Sequence, residues 1–288
     1  MEKKIDRIIP RPASANMVGD GFRVFNYIPH TLAQRRISPF LMLDFNAAFD
    51  FGPSDHIRGV DVHPHKGFET VTIAYQGSVA HHDSAGNSGV IHPGDVQWMT
   101  AGSGILHKEY HEENFSKKGG NFEMVQLWVN LPKKDKSAAP HYQPLTNKDI
   151  PVVPLDNNQG QVRVIAGNFG QQKGAAATYT PLNLLDIHLK AGASFQVTIP
   201  STHNTAILAV HGQGKTGDKI FHEHDFILFE HEGEEIRIEA AQDSTLLLMS
   251  GLPIDEPIAS YGPFVMNTQE EIFEAINDFN QGKFGHLE

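Results

Sequence analysis

Cysteine is absent from this chain of 288 residues. That excludes disulfides, thiol nucleophiles and thiolate-bound metals, so any metal must be held by nitrogen and oxygen ligands. Long apolar runs are missing too. No window approaches the ~18–20 apolar residues that cross a bilayer, and the opening MEKKIDRIIPRP lacks the apolar core of a secretory signal. A soluble cytoplasmic protein with no membrane partner is the expectation. Positive charge is also scarce: 23 Lys and Arg stand against 34 Asp and Glu, a formal charge of −11. Such a chain repels phosphate backbones, which disfavours direct nucleic-acid contact. Lysines 117, 118, 133, 134 and 136 form small clusters that read as solvated surface.

What the chain does have is short β-branched and aromatic runs, such as FETVTIAYQG, LNLLDIHLKAG, NTAILAVHGQG and STLLLMSG, punctuated by Gly, Pro, Asn and Asp. Many short strands without long helical periods between them point to an all-β sandwich or barrel. The stretch 131–160, rich in Pro, Lys and Asn, reads as a linker that splits the chain into residues 1–140 and 141–288. The halves share a pattern in which Gly77 aligns with Gly212 and Asp95 with Asp225, as two copies of one small barrel would. One helix is clear, in NTQEEIFEAINDFNQGKFG. Thr268 and Glu271 form a capping box, Ile272, Ala275, Ile276 and Phe279 recur at helical spacing, and Gly282 suits a left-handed stop.

The chemistry concentrates in HPHKGFE, residues 63–69, and in GSGILHKEYH, residues 102–111. Side chains alternate along a strand, so His63 and His65 share one face, as do His107, Glu109 and His111. Pro64 favours an extended chain at an edge or beside a bulge. His63, His65 and His107 with one carboxylate form a ligand set suited to Fe(II), Mn, Co, Ni, Cu(II) or Zn. By spacing alone that carboxylate is Glu69 or Glu109. The other would orient a ligand histidine from behind, or act as a base. His111 either lines the pocket or is a structural histidine.

HPHKGFETVT, DSAGNSGVIHPGDVQWMTAGSGILHKE and QLWVNLP resemble the pirins, a branch of the cupin superfamily, and SPFLMLDFN and GPFVMNTQEEI extend the likeness over nearly the whole chain. The resemblance implies a bicupin: a metal-binding barrel in 1–140, and a degenerate barrel with the C-terminal helix in 141–288. It implies one divalent metal, Fe(II) in the usual case, held by His63, His65, His107 and Glu109, with Glu69 standing behind. The implied activity is that of a quercetin 2,3-dioxygenase, which opens a flavonol ring with dioxygen and releases carbon monoxide. Glu109 would accept the hydroxyl proton, and Phe68, Trp98, Met99 and Met124 are candidate walls for the flat ring. Some pirins instead regulate by binding another protein without turnover, and eukaryotic members include nuclear ones.

Other histidines read as surface. In HEH, residues 222–224, His222 aligns with His92 of HPGD rather than with a ligand, and the ligand positions of the second half fall near Thr198 and Pro200. His81 and His82 sit in a turn-rich stretch that favours exposure. Gly102 and Gly104 read as the turn that aims His107.

Overall fold

The computed structural model describes residues 1–29 and 32–288. All the runs quoted above form strands, for example Phe68–Gln76, Leu182–Leu189, Asn204–His211 and Ser244–Gly251. The protein is an all-β bicupin with a C-terminal helix, and each barrel unit faces a seven-stranded sheet with a four-stranded one.

In the metal-barrel unit the smaller sheet runs Gly59–His65, Ile105–His111, Val79–Asp83, Ser88–Ile91. The larger sheet includes His141–Leu145, Val96–Thr100, Phe68–Gln76, Gly120–Asn130 and the twelve-residue strand Phe40–Phe51. Gly59–His65 lies at a sheet edge, where Pro64 removes no interior ladder bond. In the second unit Ser194–Thr198 and Glu235–Ala240 take the places of Gly59–His65 and Ile105–His111.

The internal repeat is visible atom by atom. The His92 amide donates to Asp95 Oδ2 at 2.9 Å, and the His222 amide donates to Asp225 Oδ2 at 2.8 Å. Gly94 N donates to the Ala74 carbonyl, and His224 N to the Ala209 carbonyl. HEH is therefore a β-turn, with His222 exposed. The interior of the second barrel is apolar: Phe195, Val197, Ile199, Ile236 and Ile238 are buried where the first barrel carries its histidines. This barrel has a conventional hydrophobic core.

The division of the chain differs from a single cut at 140. Residues 1–13 belong to the second unit, where Ile5–Ile9 pairs with Phe226–Phe229. Residues 254–288 belong to the metal-barrel unit, where Lys66 bridges Phe264. Each terminus thus completes the barrel formed by the opposite half of the sequence. The expected linker is also more ordered than its composition suggests. It contributes the strand His141–Leu145, and Lys136 is buried at 2% exposure rather than solvated.

The helix spans Gln269–Asn280. Glu271 N donates to Thr268 Oγ1 at 3.2 Å and Thr268 N to Glu271 Oε2 at 3.1 Å, which closes the capping box. Its buried face, Ile272 and Ala275, packs with Ala259, Phe264, Met266 and Phe284 in the metal-barrel unit.

Candidate metal centre

Two adjacent strands build the site. His107 lies opposite His63, and Ile105 opposite His65, in the antiparallel pair of Ile105–His111 with Gly59–His65. The register slips between His107 and Glu109, where Asp61 and Val62 together oppose Lys108. Such a bulge twists the strand and re-aims its side chains.

The rings of His63, His65 and His107 converge. Their centroids lie 4.3–4.8 Å apart, and one nitrogen from each lies within 4.8 Å of the others. His65 and His107 are buried, and His63 is half-buried on the solvent side. Burial lowers all three pKa values, with the neighbouring histidines adding to the effect at His65 and His107, so the rings are neutral and their lone pairs free. The Asp61 carbonyl holds His63 Nδ1 at 2.7 Å, which leaves Nε2 for a ligand. Among the described residues neither nitrogen of His107, nor Nδ1 of His65, has a hydrogen-bond partner. A buried orphan nitrogen costs about 1–3 kcal/mol. A shared divalent cation would bind one nitrogen of each ring, so the residues fit a metal.

Glu109 shares the inward face with His107 and is buried, but it is not among the three residues whose donor atoms mutually converge. Thr72 Oγ1 donates to its Oε1 at a long 3.5 Å, and burial pushes its carboxyl up to about 7. Glu69 faces the other way. The turn at Lys66 and Gly67 resets the alternation, so Phe68, Thr70 and Thr72 point inward and Glu69 points out of the opposite sheet face, paired with Thr100 and Val129. Thr100 Oγ1 donates to Glu69 Oε1 at 2.8 Å.

The expected walls divide. Phe68 packs on His65 with ring centroids 5.1 Å apart. Met99 pairs with Thr70 on the inward face, and Met124 lies deeper, packed with Phe22, Val79 and Phe122. Trp98 pairs with Val71 and therefore faces away from the histidines, like Glu69. His111 is structural: Nε2 donates to the Gly21 carbonyl at 2.8 Å, inside a cage of Phe22, Phe51, Phe115 and Phe122.

Two residues escaped the sequence reading. Trp128 packs on both His65 and Phe68, at 5.3 and 4.2 Å between centroids. Its signal was its parity with Gln126 and Met124 in one strand. His81 is buried rather than exposed: it lies opposite Glu109, and its ring stacks on Tyr142. His82, the next residue, is exposed as expected.

The pirin family model matches residues 21–129, and that of the pirin C-terminal cupin domain matches 184–285. A Pseudomonas aeruginosa relative, provisionally named a quercetin 2,3-dioxygenase, is 50% identical over 94% of this chain and 95% of its own. A pirin-like protein of Solanum lycopersicum is 40% identical over 95% of this chain and 90% of its own. The solved structure of a quercetin 2,3-dioxygenase from Acinetobacter baumannii is 45% identical and superposes with a TM-score of 0.95, covering 100% of both chains. With the three-histidine cluster set in the first of two cupin barrels, these likenesses show that the chain belongs to the pirin family.

Proposed function

We propose that the protein is a metal-dependent dioxygenase that opens the ring of a flavonol or related enol. The observation that carries this reading is the convergence of three neutral imidazoles, His63, His65 and His107, with orphan nitrogens on the two buried rings, His65 and His107. The likeness to proteins named quercetin 2,3-dioxygenase supports it. These three residues hold one divalent ion, Fe(II), and Glu109 on the same strand face is the fourth ligand. The bound ion supplies a Lewis acid for the enol oxygen and a redox centre for dioxygen.

The chain's own groups do the remainder. Glu109, buried on the histidine face beside Thr72, accepts the hydroxyl proton. Phe68, Trp128 and Met99 form apolar walls that orient a flat ring and exclude water.

Anaerobic reconstitution with Fe(II), followed by quercetin and oxygen, tests the reading. Carbon monoxide should be released, and release should vanish in His63→Ala and Glu109→Ala. Absence of product with every divalent metal would sink the reading for quercetin.

A further inference from the structure

We propose that the cleft between the strand edges Ser88–Ile91 and His141–Leu145 binds a single, neutral, hydroxylated aromatic ring. These strands end the smaller and larger sheets of the metal-barrel unit, so the cleft opens through the seam of the barrel. It has a volume of about 230 Å³.

Three inward-facing residues line it: His81 opposite Glu109, Gln97 opposite Thr72, and Tyr142 opposite Met99. His81 and Gln97 are 7% and 4% exposed, yet His81 Nδ1 and Gln97 Nε2 have no hydrogen-bond partner among the described residues, while the Tyr142 hydroxyl beside them is turned to Asp83. Buried polar groups are ordinarily satisfied, and two orphans lining one cleft call for a polar guest. The Gln97 amide can only donate there, while a phenol and an imidazole can donate or accept. Together they match a hydroxyl or carbonyl oxygen.

Charge and size narrow the guest. The carboxylates of Asp83 and Glu109 act on Tyr142, so an anion is disfavoured. Drug-sized ligands occupy roughly 300–1,000 Å³, and this space is smaller, enough for one ring and not for a fused flavonol. The flat pair of Tyr142 and His81, 4.8 Å apart and inclined by 19°, offers an aromatic wall. Gly89 leaves the approach open, because a Cβ there would lie 2.7 Å from His81 Nε2. The inference rests on the dioxygenase reading only in placing this ring beside the reacting site. The binding itself stands on the cleft.

The test is an NMR titration of the full-length protein, without added metal, using phenol and benzene as probes. Phenol should saturate and shift the Gln97 side-chain amide, and benzene should bind at least about tenfold more weakly. Gln97→Met should weaken phenol by about tenfold, and Gly89→Val should abolish its binding. Quercetin that displaces phenol would assign the pocket to a pendant flavonol ring; quercetin that does not would assign it to a one-ring molecule. Equal binding of phenol and benzene, an unaffected Gln97→Met variant, or no saturation because the cleft holds only water would each overturn the proposal. Turnover plays no part in the readout, so failure to convert quercetin leaves this result standing.

Discussion

The ammonium of Lys136 donates to the carbonyl of Gly67 at 2.9 Å, two residues past His65 of the histidine cluster. It also donates to Asn130 Oδ1 at 2.8 Å and to the Val265 carbonyl at 2.9 Å, so all three of its protons are used. Gly67 has φ +90°, and a Cβ there would lie 2.0 Å from the Val265 oxygen. Val265 N in turn donates to the Lys66 carbonyl at 3.0 Å. A lysine from the stretch after the barrel thus pins the histidine turn to the C-terminal strand Phe264–Met266.

Lys136→Met should therefore loosen the turn as well as the fold. It strands three buried acceptors, and we expect a loss of about 2–4 kcal/mol in stability and about tenfold in metal affinity. The pH dependence has a definite sign. Burial lowers the lysine to about 8 in the folded state, against 10.5 unfolded. Between those values the unfolded chain binds more protons, so the native protein gains stability as pH rises through this window and loses it as pH falls back through 8. Urea unfolding at pH 7 and pH 10 should show that gain in the native protein and a flatter profile in the variant. An unchanged metal affinity would refute the positioning role.

His111 makes the contrasting case. Its aromatic cage and its bond to Gly21 predict a cost of about 2–4 kcal/mol for His111→Ala, with metal content retained. Denaturant unfolding and elemental analysis of one preparation separate the two effects. Metal loss without destabilisation would return His111 to the metal site.

The two tryptophans supply a spectroscopic check. Trp128 lies 5.3 Å from the His65 ring, whereas Trp98 points out of the opposite face of the sheet. Adding Co(II) should quench the emission of Trp128 more strongly. Trp128→Phe should remove most of the response, while Trp98→Phe should preserve it. The reverse pattern would mean that the metal binds elsewhere.

Strand parity made the histidine set legible, because HPH and HKE each lie within one uninterrupted strand. Parity failed at Glu69 for a physical reason: a glycine in a left-handed conformation intervenes, and counting across it carries a face assignment that the turn has cancelled. His81 was hidden by the Asp, Ser, Gly and Asn that follow it, although its own strand turns it inward. FLMLDFNAAFDF escaped notice as a strand because its first eight residues are almost uniformly buried, which blurs the two-residue period. The exchange of termini rests on pairings such as Ile9 with Phe226, which local pattern does not encode. Lys136 sits among lysines that are truly exposed, and only the three carbonyl-type acceptors around it distinguish it.

Glu69 and Glu109 carry the sharpest prediction, since both are buried and both are pushed up to about 7. Glu69 has Thr100 and Trp98 close by to compensate in part, on the face away from the histidines. Its folded pKa exceeds the unfolded 4.5, so its contribution to stability is complete below 4.5 and is lost as pH rises through 7. Glu69→Gln removes that loss, and at pH 8 the variant should be more stable by about 2–3 kcal/mol, with its metal retained. Glu109→Gln should lower metal affinity and abolish turnover. Isothermal titration with Co(II) on both variants decides the matter: a Glu69→Gln protein that no longer binds metal, beside a Glu109→Gln protein that does, would exchange the two assignments. The placement of Thr72 and Phe68 with the histidines, on the face that Glu69 does not share, argues for the order given.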